Sequence, residues 1–356
     1  MKPAIAVFVK NFENGGAEKQ AALLARLLAP RFDVHFLVFN ARRVHRRSES
    51  LVRGVSGIRY VAFEGPFPRR FCAFVRHLRR HRVRLVFSYL TAANAFACLA
   101  KPFCRAKVCV GLRNARLPWP KHVADAFLAR FFADAAVVNS HAGAAHFART
   151  GFPARKLVVI PNCMEDIAPP VKRVPGTPPR VVTVGRFVPQ KDYPTILRAL
   201  SILRERGVPF AADLVGHGPL EAAVRRDVER LGLSSSVILH VDSPDIPEIL
   251  RAADVYLSAS LFEGTSNSVM EAMNAGLPVV ATDVGDNARL VLDGQNGFLC
   301  PPRDPAALAD KLQTLLADPS RRLEMGRSGL KILADRYSSA PFLQAYLELA
   351  DRLLDA

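Results

Sequence analysis

The sequence holds no pair of cysteines at C-x-x-C spacing. Its six cysteines, at positions 72, 98, 104, 109, 163 and 300, are scattered. That pattern argues against a zinc site and fits reduced thiols in a cytosolic protein. No apolar run is long enough to span a bilayer. The run Pro3 to Val9, between Lys2 and Lys10, is short for a signal-peptide core and reads as a first strand. Dinucleotide fingerprint, P-loop, internal repeat and a metal-placed Asp-x-Asp are all missing. Acidic residues are scarce in one half only. Residues 1–170 hold 28 Lys and Arg against 9 Asp and Glu, whereas residues 171–356 hold 21 against 23. The excess positive charge therefore belongs to the first half, +19 against −2. It asks for an anionic partner there: a phospholipid surface, a lipid-linked acceptor or nucleic acid.

What is present is a chain of 356 residues, half of them apolar, enough for one or two sizeable cores. Its length favours two domains. Short apolar runs recur as strands: Ile5 to Val9, Val34 to Phe39, Leu85 to Leu90, Ala106 to Val110, Ala135 to Asn139 and Lys156 to Ile160. A stretch from Val171 to Arg180 with Pro175, Gly176, Pro178 and Pro179 marks a linker. Beyond it come Val181 to Val184, Ala211 to Val215, Val237 to Val241, Asp254 to Ser258 and Leu277 to Ala281. Past Gly297 the pattern reads as helix, ending on Phe342, Tyr346 and Leu349. Strands alternating with helices in both halves predict two doubly wound α/β domains with a cleft between them.

The densest stretch is Glu263-Gly-Thr-Ser-Asn-Ser-Val-Met-Glu271. A turn at Gly264 and a polar group, Thr265 to Ser268, feed a short helix that Gly276 ends and Pro278 keeps closed. Ser266 or Asn267 is a natural N-cap, and Ser268 with Glu271 has capping-box spacing. A loop of this kind offers unpaired N–H groups and a positive dipole end, an anion site suited to phosphate. Two readings of the glutamates stand side by side. Glu263 and Glu271 accept from sugar or ribose hydroxyls, or Glu271 closes a capping box and Glu263 is a solvated loop residue.

Arg186 and Lys191 follow the strand at 181–184 and can neutralise a diphosphate, one as a fork and one as a point charge; two surface cations is the alternative. Gly216 and Gly218 form a strand-to-helix turn, and Ser243-Pro-Asp-Ile246 follows another strand. Gly15-Gly16-Ala17-Glu18 turns after the first strand and leads into a helix over Lys19 to Leu28. Arg113 and Asn114 fall just past a strand end, where open parallel sheets meet ligands. His141 and His146 match no pattern. Phe71, Phe74, Val75 and Leu78 share one face of a helix whose Arg76, Arg79 and Arg80 point elsewhere, either a solvated face or a membrane-docking one.

The stretch from Glu263 to Ala281, continuing through Thr282-Asp-Val-Gly-Asp286 to Asn296-Gly-Phe-Leu299, resembles the E-x7-E region of retaining GT-B glycosyltransferases, family 4-like. The segments at 15–18, at 161–166 and at 185–197 resemble that family too. The resemblance implies a GT-B fold: an acceptor-side domain over 1–170, joined by a C-terminal helix at 341–356, and a nucleotide-sugar domain over 171–340. It implies that Arg186 and Lys191 hold the donor diphosphate and that Glu263 lies near the donor sugar, these three forming the catalytic set. Gly16, Gly216, Gly218, Pro244, Asp245, Ile246, Gly264, Thr265, Ser266, Asn267 and Glu271 complete the donor site. Glu271 would hold the ribose, and the 243–246 loop would meet the base. Cys163 and Glu165 replace the family's usual glycine and aspartate, which implies a structural role for that segment. The histidine that many relatives use in the first domain has no counterpart that the sequence identifies.

The expected reaction needs no metal and no cofactor beyond the nucleotide-diphosphate sugar donor. The expected acceptor is a lipid-linked or lipopolysaccharide-like glycan, met at the inner face of an anionic cytoplasmic membrane, with no specific nucleic acid. A sugar-nucleotide epimerase of the same fold and a basic nucleic-acid-binding protein are the rival readings.

Overall fold

The computed structural model describes residues 2–13, 15–113, 119–169 and 176–355. Asn114 and residues 171–175 of the expected linker lie outside them. The chain divides into two compact units, Met1–Glu165 with Ser339–Ala356, and Asp166–Ser338. The sequence reading sets these limits at 170/171 and 340/341.

Unit 1 has seven strands: β1 (Ala4–Val9), β2 (Asp33–Val38), β3 (Ile58–Ala62), β4 (Leu85–Tyr89), β5 (Lys107–Leu112), β6 (Ala135–Val138) and β7 (Leu157–Val159). They alternate with α1 (Gly16–Leu28), α2 (Arg46–Glu49), α3 (Phe67–Arg80), α4 (Thr91–Ala100), α5 (Trp119–Phe131) and α6 (His141–Arg149). The sheet is parallel, in the order β3-β2-β1-β4-β5-β6-β7. Strands covered on both faces read as continuous apolar runs, and β1 shows why. Ile5, Val7 and Val9 enter one core while Ala6 and Phe8 enter the other.

Unit 2 has β8 (Arg180–Val184), β9 (Ala211–Gly216), β10 (Val237–Val241), β11 (Val255–Ser258), β12 (Val279–Thr282) and β13 (Gly297–Cys300). Its helices are α7 (Tyr193–Glu205), α8 (Glu221–Arg230), α9 (Ile246–Ala252), α10 (Asn267–Asn274), α11 (Asn287–Leu290), α12 (Pro305–Ala317) and α13 (Pro319–Tyr337). The parallel order is β10-β9-β8-β11-β12-β13. Both units are doubly wound, as the sequence reading expects.

The last helix, α14 (Ser339–Asp355), belongs to unit 1. Phe342, Tyr346 and Leu349 enter the core beside Ile5 and Phe87. Two features differ from the sequence reading. β13 occupies Gly297–Cys300, where a helical pattern was read, because a four-residue strand is too short to show its own period. The edge strand β3 is absent from the sequence reading, since Arg59 is exposed and its other residues are only half-buried. Among the described residues no helix is long and apolar enough to cross a membrane.

Candidate functional site

In an open parallel sheet, ligands gather where the strand order reverses, outside the strand carboxyl ends. In unit 2 that point lies between β8 and β11. The loop after β8 carries Arg186 and Lys191; the loop after β11 carries Glu263, Gly264, Thr265 and Ser266. The two loops are stitched together. Leu261 N donates to the Gln190 carbonyl at 2.8 Å, and Gln190 Nε2 donates to the Phe262 carbonyl at 2.8 Å. Lys191 Nζ donates to Glu263 Oε1 at 2.6 Å. Their side chains are 17% and 10% exposed, so the pair is shielded from solvent. Lys191 ends a 3₁₀ turn, and Asp192, left-handed at φ 46°, redirects the chain into α7. Arg186 is exposed and makes no ion pair among the described residues.

Two glycines let backbones close around this point. A Cβ on Gly216 would overlap the Gly185 carbonyl, and one on Gly285, at φ +61°, would overlap the carbonyl of Glu263. The Glu263 loop is further fixed by Thr282 Oγ1 donating to the Ser260 carbonyl at 2.6 Å. Gly218 follows in the same turn as Gly216, with Phe187 N donating to the His217 carbonyl at 2.7 Å.

Helix α10 starts at Asn267 with Ser266 as its extended N-cap, and the Ser266 side chain caps no backbone N–H of the helix. The predicted capping box between Ser268 and Glu271 is therefore not formed: Ser268 already lies inside the first turn and Glu271 a turn further on. The Ser268 hydroxyl instead lies 3.3 Å from that of Ser266. Thr265 and Ser266 are buried, and α10 starts beside them, with the positive end of its dipole at this loop. Gly276, at φ 72°, ends the helix as expected. Pro244 and Asp245 form the turn before α9, which Ile246 opens, with Asp245 N donating to Ser243 Oγ at 3.2 Å.

Unit 1 has its own reversal point, between β1 and β4. A cavity of about 430 Å³ lies there, lined by Lys10, Glu18, Thr91, Arg113, Lys121 and Asp125 among others. Gly16 opens α1 in this unit, so of the expected donor set it alone falls outside unit 2. Arg113 is buried at the end of β5. Its Nη2 donates to the Tyr346 hydroxyl at 2.6 Å, its Nη1 approaches Asn162 Oδ1 at 3.4 Å, and its guanidinium lies 4.3 Å from the centre of the Tyr89 ring. Asp125 faces the same cavity from α5 and is also buried. It accepts from Thr91 Oγ1 at 2.6 Å and from Asn94 Nδ2 at 3.3 Å. Burial raises its pKa, opposed by those two donors. Sequence reading found Arg113 and missed Asp125; the available signal was the lone acid of its helix. His141 and His146 both lie on α6, away from the cavity lining.

The segment at 161–166 is structural. Gln20 clamps the backbone of Cys163, donating to its carbonyl at 2.8 Å and accepting from its N–H at 3.1 Å, and Arg26 pairs with Glu165. Arg42, Arg43, Arg46, Arg47, Arg69, Arg76, Arg79 and Arg80 are exposed. Arg70 is partly withdrawn from that surface, its guanidinium 4.9 Å from the centre of the Phe39 ring.

Residues 14–168 match the family model Glycosyltransferase Family 4, and residues 178–318 match Glycosyl transferases group 1. The chain is 32% identical over 163 residues to the GDP-mannose-dependent alpha-(1-6)-phosphatidylinositol monomannoside mannosyltransferase of Mycolicibacterium smegmatis, covering 43% of each chain. It is 29% identical over 175 residues to the lipopolysaccharide core biosynthesis glycosyltransferase LpsE of Rhizobium meliloti, covering 49% of this chain and 50% of that one. These matches thus span half or less of the relatives' length. Among solved structures, Anabaena Alr3699/HepE in complex with UDP-glucose gives a TM-score of 0.86 at 21% identity, covering 98% of this chain and 99% of that one. Sucrose-phosphate synthase from Thermosynechococcus elongatus gives 0.83 at 19%, covering 99% and 100%. With one model on each half and the fold in common, the chain belongs to the glycosyltransferase family that these two models describe.

Proposed function

We propose that the chain is a retaining glycosyltransferase. It moves a sugar from a nucleotide-diphosphate sugar to a hydroxyl of a lipid-linked or cell-surface glycan acceptor, without a metal. The observation that carries this reading is the pair of half-buried Lys191 and buried Glu263 beside the exposed Arg186, at the reversal point of the second sheet. In the reaction the bond between C1 of the sugar and the diphosphate breaks. The acceptor oxygen bonds to C1 on the face the diphosphate leaves, and the acceptor proton passes to the departing phosphate. Negative charge grows on the diphosphate, where Arg186, Lys191 and the N–H groups opening α10 stabilise it. Glu263 orients Lys191 while accepting from a donor sugar hydroxyl. Glu271 holds the ribose, and the 243–246 loop meets the base.

The relatives support a nucleotide-sugar donor: one is named as GDP-mannose-dependent and one structure holds UDP-glucose. The unit 1 cavity, with Arg113 and Asp125 on its lining, is the acceptor site of this reading. The basic surface of the same unit supports attachment to an anionic membrane. Incubation with a panel of nucleotide sugars, with and without a lipid-linked glycan extract, tests it. A new glycoside with the donor's anomeric configuration, formed in excess EDTA and only with acceptor, is the expected product. An epimerised nucleotide sugar formed without acceptor would replace this reading with that of an epimerase.

A further inference from the structure

Helix α5 turns two different faces outward and inward. Asp125 and Lys121 border the unit 1 cavity, and Leu128 and Ala129 are buried with Asp125. On the opposite side Trp119, Val123, Phe127 and Phe131 recur every fourth residue and are 77%, 46%, 54% and 64% exposed. At 1.5 Å per residue they form a stripe about 18 Å long. Phe127 and Phe131 touch each other, with ring centres 5.0 Å apart, yet both remain open to solvent. Exposed apolar residues scattered singly are ordinary; four in line on one helix are not.

The charges around the stripe have one sign. Arg130 lies on the outward face, Lys121 is exposed on the cavity side of the same helix, and the one acid of α5, Asp125, is buried. Large apolar side chains, a tryptophan and a cation on one face are the composition of a helix lying in a bilayer interface, with aromatic rings at headgroup depth. An acidic membrane surface complements the +19 carried by residues 1–170.

We propose that the outward face of α5 inserts into the headgroup region of an anionic bilayer, and that the same helix thereby sets the unit 1 cavity beside that bilayer. The acceptor then enters with its polar head in the cavity and its lipid part in the membrane. This deepens the reading above and rests on it.

Trp119 is the only tryptophan of the chain, so its emission reports this face alone. The full chain is mixed with phosphatidylglycerol–phosphatidylcholine vesicles and, separately, with phosphatidylcholine vesicles. With the anionic vesicles, Trp119 emission shifts to the blue and is quenched by brominated acyl chains. The double variant F127E/F131E retains the wild-type melting temperature and loses roughly tenfold or more in vesicle partitioning, the scale expected when two large apolar side chains stay in water. If the protein floats with anionic vesicles while Trp119 neither shifts nor is quenched, another surface docks; the membrane reading survives and the role of α5 falls. If it floats with no vesicle, both fall. A dimer in sedimentation that F127E/F131E dissociates would assign the stripe to a second copy and overturn the proposal.

Discussion

Lys191 reaches across 72 residues of sequence to place its ammonium 2.6 Å from Glu263. Each residue sits in a loop leaving a different strand of the central β8–β11 pair. The contact therefore fixes the geometry of the reversal point, and both charges are largely withdrawn from water. Removing one partner of such a pair leaves the other charge buried and uncompensated, which costs about 3–5 kcal/mol.

The pair is thus expected to be structural as well as functional. Lys191→Ala and Glu263→Ala should each destabilise unit 2 on that scale. The double variant should be less destabilised than the sum of the two, because no lone charge remains. Urea melts of the four proteins measure the coupling. Strict additivity would show that the contact does not hold the loops.

Glu271 lies inside α10 and is not its capping residue. Glu271→Ala should weaken binding of a free nucleoside diphosphate with little change in melting temperature, while Glu263→Ala should lower both melting temperature and turnover. Calorimetry beside thermal melting separates the two. Unchanged nucleotide affinity in Glu271→Ala would remove its assignment to the ribose.

Asp125 carries the opposite balance of stability and function. Burial raises its pKa, so its carboxyl favours folding below the unfolded value and opposes it as pH rises through the folded one. Asp125→Asn should therefore stabilise unit 1 at neutral pH, with the advantage over wild type vanishing in acid. If Asp125 serves the acceptor, the same variant should lose acceptor affinity while donor affinity holds. A variant less stable at pH 7, or unaltered in transfer, would contradict this.

A histidine cluster gives unit 1 a second pH response. His35 Nδ1 lies 2.8 Å from His77 Nε2, and the His81 ring lies tilted against both. Asp33, Arg59 and Arg80 face the group from β2, β3 and α3. Burial lowers the pKa of His35 and brings that of His77 to about 4. A base whose folded pKa lies below its unfolded value stabilises the fold above the unfolded pKa and loses that contribution as pH falls. Stability should decline between about pH 6.5 and pH 4. His77→Leu should flatten the decline in melting temperature. An equally steep decline in the variant would place its origin elsewhere.

The strands that were legible in the sequence are those buried on both faces, such as β1, β4, β8 and β11, because burial writes an unbroken apolar run. The 263–271 stretch was legible as strand, loop and helix for the same reason, joined to a strong turn at Gly264. Of the two N-caps it offered, Ser266 and Asn267, the structure takes Ser266; the Ser268–Glu271 capping box fails because spacing alone does not say which serine precedes the first turn. Asp125 became a site residue through Thr91 and Asn94, 34 and 31 residues away. No local pattern encodes such a meeting, nor the one between Lys191 and Glu263. The exposed stripe on α5 was hidden differently, since spacing of four marks an apolar face without saying whether a core covers it.

The central claim is that unit 2 holds a nucleotide diphosphate at its reversal point, and Arg186 tests it most directly. It is exposed and outside any ion pair among the described residues, so Arg186→Ala should melt as wild type does. Calorimetric titration of both proteins with a panel of nucleoside diphosphates is the measurement. One base should bind the wild type, and the variant should bind it at least roughly tenfold more weakly, as loss of a charge-assisted contact worth about 1.5–3 kcal/mol requires. Binding of equal strength in the two proteins, or no binding to the wild type by any nucleoside diphosphate, would contradict the account.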